Sequence, residues 1–204
     1  MSTQINLADQ TLSAYTDLIR HGTDNAIYGL SQMLGRDVAV TNLKATKIPV
    51  FDIPDLFGGR DAMTVGIYLA VTGCADGHMF LIYPPPVALG LVDLLLGEPP
   101  GTTQTLDELE ASALGEMGNI MGSFFLNALA DHCGLDLLPS PPAVMMDMAG
   151  SILSAILADL SRESDETLIV EASFSVADEE IDGNFVVMPS PNLLRILLEH
   201  CATA

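Results

Sequence analysis

The chain repeats itself, and that repeat limits its fold more than any other property of its 204 residues. The segment from Leu12 to Arg36 lines up with a second one at an offset of 99, pairing Leu30 with Leu129 and Gly35 with Gly134. Further along, CADGHMFLIYPPPVALGLVDLLLG recurs as EEIDGNFVVMPSPNLLRILLEH, with Asp76 and Gly77 matching Asp182 and Gly183. Each half therefore reads as a long helix, strands around an Asp-Gly turn, and a helix opened by proline. Too few strands fall in either half for it to bury a core alone. The expectation is one α+β domain over 1–204, in which both halves share a sheet, or paired sheets, with pseudo-twofold symmetry and a cover of helices. The repeats run from about 11–97 and 106–201, and the Gly-Pro-rich loop 97–105 joins them.

Hydrophobic periodicity places helices near 11–34, 85–96, 106–133, 147–162 and 190–201. Strands fall near 37–44, 62–73, 77–83, 137–146, 167–177 and 181–188. The helix that opens the second half carries three stripes. Leu109, Ala113, Met117, Ile120, Phe124 and Ala128 recur every three or four residues and predict a buried face. Beside them runs a polar stripe, Ser112, Glu116, Asn119, Ser123 and Asn127, and beyond it a small one, Ala111, Gly115, Gly118 and Gly122. Each helix-interior glycine costs about 1 kcal/mol relative to alanine, so close approach by another backbone or a partner surface is expected there.

Ser112, Glu116 and Asn119 point the same way, because residues three and four apart on a helix are surface neighbours. With Pro142 they make the spacing Ser-x3-Glu-x2-Asn-x22-Pro, which resembles the signature of the CheC, CheX and FliY phosphatases of chemotaxis. The surrounding GEMGNIMGSFFLNALAD and the later PSPPAVMMDMAGSIL are similar to CheC in particular, and the likeness extends over essentially the whole chain. It implies the same α+β arrangement, with two long signature helices side by side on one face of the sheet. It also implies hydrolysis of the aspartyl phosphate of the response regulator CheY.

In that role Asn119 would orient the attacking water, since a carboxamide both accepts and donates hydrogen bonds and stays neutral beside a phosphoryl group. Glu116 would grip the response regulator's active-site lysine. Ser112 would support Glu116 or cap local contacts, and Pro142 would stiffen the docking edge through its fixed φ. Gly115, Gly118 and Gly122 would line the stripe on which the partner rests. The likeness further implies that Mg²⁺, the phosphorylated aspartate and the lysine all come from CheY, so this chain is expected to bind no cofactor and no metal of its own.

The repeat supplies an internal control. Ser112, Glu116 and Asn119 correspond to Ser13, Asp17 and Arg20, and the small stripe is replaced by Leu12, Thr16, Ile19 and Thr23. Arginine has donors but no acceptor for a water. Asp17 and Arg20 are expected to pair across one helical turn. The companion proline is also missing, because Leu43 stands in its place and Pro49 is displaced. One site is therefore expected, in the second half, with a degenerate counterpart in the first.

Charge and composition exclude other classes. Net charge is −20, from 27 acidic against 7 basic residues, which disfavours nucleic acid and leaves no long-range attraction for an acidic partner. No apolar run is long enough to span a membrane, and the first residues show no export signal, so a cytoplasmic protein without membrane insertion is expected. Cys74, Cys133 and Cys201 suit reduced thiols. Asp131, His132 and Cys133 are consecutive on a helix and cannot converge on one ion. Two alternatives of another class stand beside the phosphatase: an adaptor without catalysis that binds the receptor deamidase CheD, as CheC relatives do, and a flagellar-switch component similar to FliY.

Overall fold

The computed structural model describes residues 9–176 and 179–201. Two helices of 26 residues, α1 (Asp9–Leu34) and α3 (Glu108–Cys133), carry the repeat. Both stop at a glycine in the left-handed region, Gly35 at φ 61° and Gly134 at φ 64°, where a side chain would be strained. At the start of α3 the Glu110 carboxylate reaches back and accepts the Asp107 backbone N–H at 3.1 Å. The two helices lie antiparallel, with Gly22 of α1 against Phe125 and Leu129, and Gly29 against Phe124 and Ile120.

After α1 the chain forms β1 (Val38–Pro49), a 3-10 segment (Val50–Phe57), β2 (Met63–Gly73), β3 (Gly77–Tyr83) and α2 (Pro85–Leu96). After α3 come β4 (Leu137–Pro139), β5 (Ala143–Met148), α4 (Ala149–Glu163), β6 (Glu166–Val176), β7 (Glu179–Pro189) and α5 (Pro191–Cys201). Both halves feed one antiparallel sheet in the order β1-β6-β7-β3-β2-β4, with β5 also paired to β2. The pseudo-twofold passes between β3 and β7, where Gly77 pairs with Pro189 and Ile82 with Asn184.

Side chains alternate across the sheet with period two. Ile67, Leu69, Leu81, Val170 and Phe185 meet α1, α2, α3 and α5 on one face. Phe80, Ile82, Ile169, Val186 and Met188 meet α4 and the 3-10 segment on the other. The expected α+β fold, with two long helices side by side on the sheet, is what forms. The loop joining the halves is fastened by Asp93, which is 2% exposed and accepts backbone N–H groups from Gly101, Thr102 and Thr103 at 2.6–3.2 Å. Hydrogen bonding from Thr103, then from Gly101 and Thr102, holds its carboxyl below the ordinary range despite its burial.

Four details depart from the sequence expectation. The strand read over 137–146 is broken at residues 140–142, because Pro141 and Pro142 have no N–H for the ladder. The strand at 37–44 instead runs on to Pro49 and into the 3-10 segment. Asp182 and Gly183 lie inside β7 and not in a turn: β7 pairs with β6 from Glu179 onward, and Gly183 is needed because the Tyr83 ring occupies the space of a side chain.

The buried face of α3 is also rotated from the predicted one. Leu114, Met117, Met121, Phe125 and Leu129 point inward, while Leu109 is 62% and Phe124 38% exposed. The small stripe turns inward with them. A Cβ on Gly118 would lie 2.5 Å from Ile67 Cγ2, and one on Gly122 2.9 Å from Leu69 Cδ2. These two glycines bring α3 down onto its own sheet, so the expectation that they line a partner groove is corrected.

Candidate functional site

With Gly118 and Gly122 turned inward, the polar stripe of α3 faces outward along the sheet edge. Ser112 and Glu116 are exposed and Asn119 is half-buried, one turn further along. Opposite them runs the interruption between β4 and β5. The two walls enclose an open cleft of about 720 Å³, lined on the helix by Glu108, Ser112, Gly115, Glu116 and Asn119 and on the sheet edge by Pro139 to Pro142 and Val144. The structure thus brings together Ser112, Gly115, Glu116, Asn119 and Pro142, which the sequence had set side by side.

Gly115 is the one glycine of the stripe that belongs to the cleft. A Cβ there would meet Val144 Cγ2 at 3.6 Å and Pro142 Cγ at 3.7 Å, which is ordinary contact. Ser112 donates its hydroxyl to the Glu108 carbonyl at 2.7 Å, one turn back on its own helix, so it caps local backbone and does not hold Glu116. Among the described residues, neither the Glu116 carboxylate nor the Asn119 carboxamide has an ion-pair or hydrogen-bond partner within the chain. Both groups are free to engage something that enters the cleft, a carboxylate for a cation and a carboxamide for a donor or acceptor.

The first half lacks this arrangement. Asp17 and Arg20 are exposed on α1 and, among the described residues, form no ion pair with each other, contrary to the expected self-neutralising contact. Exposed pairs of this kind gain little in water against the entropy of fixing two side chains. The helix backbone at Ser13 is described but its side chain lies outside the described set. The strand beside it, β1, is continuous past Leu43, and Pro49 merely ends it opposite Glu166.

Sequence reasoning missed Glu108, Pro139, Ser140 and Pro141 as lining residues. The signal for the last two was present, since a Ser-Pro-Pro run cannot sit inside an uninterrupted strand. Two histidine contacts lie away from the cleft. His21 and His132 face each other across α1 and α3 with ring centroids 5.9 Å apart. His78 is hydrogen-bonded to the Tyr68 hydroxyl at 3.0 Å, and its burial lowers its pKa. No group of three or more His, Cys, Asp or Glu among the described residues is placed to hold a metal ion. Nor is any described helix long and apolar enough to cross a membrane.

A single antiparallel sheet under two long helices is a fold found in solved chemotaxis and flagellar-switch proteins. The crystal structure of Thermotoga maritima FliY superposes with a TM-score of 0.78 at 20% identity, covering 98% of this chain and 99% of that one. The FliM middle domain from H. pylori has the same fold, with a TM-score of 0.66 at 10% identity, covering 95% of this chain and 99% of that one. The CheC-like family pattern matches residues 109–146, a span that contains Ser112, Glu116, Asn119 and Pro142. The CheY-P phosphatase CheC of Bacillus subtilis is 31% identical over 172 residues, which cover 82% of each chain. This chain belongs to the CheC-like family.

Proposed function

We propose that the chain, working as one domain, hydrolyses the aspartyl phosphate of a CheY-type response regulator at its second-half cleft. The observation that carries this is the pair Glu116 and Asn119, uncommitted among the described residues and facing one cleft against the Pro139 to Pro142 wall. The CheY-P phosphatase name of the Bacillus subtilis relative supports the substrate.

In the reaction a water oxygen bonds to phosphorus while the bond from phosphorus to the aspartyl oxygen breaks, releasing phosphate and the free carboxylate. Phosphoryl transfer asks mainly for positioning and charge stabilisation. Asn119 Oδ1 accepts a hydrogen bond from the water and turns its lone pair toward phosphorus. Glu116 pairs with the lysine of the response regulator and fixes the register of docking. The divalent ion, Mg²⁺ in this reading, is held by the response regulator and enters with it. The reaction is placed in the cytoplasm, where response regulators work.

A second reading, an adaptor for a partner such as CheD or a switch component, is favoured by one observation. Met63, Met146 and Met148 are each 41–53% exposed where β5 forms the sheet edge beside β2. The deciding experiment follows decay of phosphorylated CheY with Mg²⁺, alone, with the chain, and with its Asn119→Ala variant. Acceleration that the variant loses supports the phosphatase. Equal decay in all three samples contradicts it and favours the adaptor.

A further inference from the structure

The wall opposite Glu116 and Asn119 has a fastening of its own. Val71 pairs with Pro139 and Tyr68 with Ala143, so residues 140–142 stand opposite only Leu69 and Ala70. That is a bulge with one extra residue, and two of its three members lack the N–H that a ladder needs. Ser140 makes up the difference. Its backbone N–H donates to the Ala70 carbonyl at 2.8 Å, and its hydroxyl oxygen accepts the Ala70 N–H at 2.9 Å. The same hydroxyl donates to the Pro141 carbonyl at 3.1 Å. One side chain thus ties the proline lip both to β2 and to itself, and Pro142 then faces α3 at Gly115, between Ser112 and Glu116.

We propose that Ser140 is a positioning residue for recognition of the response regulator: its hydroxyl clamps the Pro141-Pro142 lip to Ala70 and so sets the width of the cleft before Glu116 and Asn119. This rests on the phosphatase reading. Ser140 touches no reacting atom, so its effect falls on docking and not on the chemical step. The first half supplies a comparison. In β1 the extra residue falls at the corresponding position, Thr41, between Val40 opposite Phe174 and Asn42 opposite Ser173. There Asn42 and Leu43 keep their N–H groups, the strand continues, and no lip forms. Threonine there shows that the first-half bulge accommodates a β-branched hydroxyl residue.

The test compares the full chain with Ser140→Ala and Ser140→Thr by two readouts: steady-state dephosphorylation of CheY with Mg²⁺, and hydrogen exchange of the Ala70 amide measured without CheY. Ser140→Ala is expected to raise KM about tenfold, with kcat unchanged to within about twofold, and to speed exchange at Ala70. Ser140→Thr is expected to restore both. An unchanged KM in folded Ser140→Ala overturns the proposal, as does unchanged exchange at Ala70. A loss of kcat that tracks a fall in Tm in both variants also overturns it, because plain destabilisation would then suffice. A parent chain that leaves CheY phosphate intact overturns the phosphatase reading and the recognition role together, whatever the exchange shows.

Discussion

The two halves of this molecule share a plan and differ in where they keep their bulk. In the second half α3 presents Gly118 and Gly122 to Ile67 and Leu69 of β2. In the first half the corresponding helix positions are Ile19 and Thr23, both buried, and the corresponding strand residues, counted along two strands of 11, are Val170 and Ala172. Volume lost from one helix stands on its strand, and volume lost from the other strand stands on its helix. Interiors are packed to near-crystalline density, so such an exchange keeps the core filled. The difference teaches that the glycines answer to the sheet beneath them. The halves also differ on the outer face: a carboxamide against an arginine, and a broken strand against a continuous one.

The largest expected contrast is between the two carboxylates. Glu116→Gln should lower kcat/KM toward phosphorylated CheY by about 10²-fold or more, as for removal of a buried interfacial charge partner. Asp17→Asn should leave it unchanged, and a comparable loss there would give the first half a function. Next come the glycines, compared by thermal or denaturant unfolding. Gly118→Ala should destabilise the fold by about 1–3 kcal/mol, because its methyl is driven into Ile67, less whatever helix propensity returns. Gly115→Ala meets only ordinary contacts and should be neutral or stabilise by up to about 1 kcal/mol. Equal behaviour of the two would mean that α3 does not rest on β2 as described.

The smallest effect concerns the link between the halves. Hydrogen bonds hold the Asp93 carboxyl below its ordinary value of 3.8, so it contributes stability above that pH and loses it as pH falls through the lowered value. Asp93→Asn should therefore be less stable than the parent at neutral pH, with the gap narrowing below about pH 4. A gap that is constant with pH would remove the charge from the explanation.

Much of this was legible beforehand because it rests on local rules. The prolines that open α2 and α5 fixed their first residues, 85 and 191 against expected 85 and 190, and terminal glycines fixed where α1 and α3 stop. Ser112, Glu116 and Asn119 fell on one face because helix geometry leaves no choice. The orientation of α3 was misread because Ala113, Ile120 and Phe124 look like core, whereas glycine carries no hydrophobic signal although it can sit deepest. Phe124 instead spans the seam, its ring 6.2 Å from that of Tyr28. The Ser-Pro-Pro run signalled a break in the strand, but the hydroxyl bond of Ser140 could not be read there, because its partner on β2 lies 70 residues away in the chain.

The central claim is that one half of a symmetric fold does the chemistry, and the decay of phosphorylated CheY tests it most directly with Asn119→Ala and Arg20→Ala measured side by side. The account predicts that Asn119→Ala abolishes the acceleration while Arg20→Ala matches the parent. Loss of acceleration in Arg20→Ala, or its survival in Asn119→Ala, would contradict it.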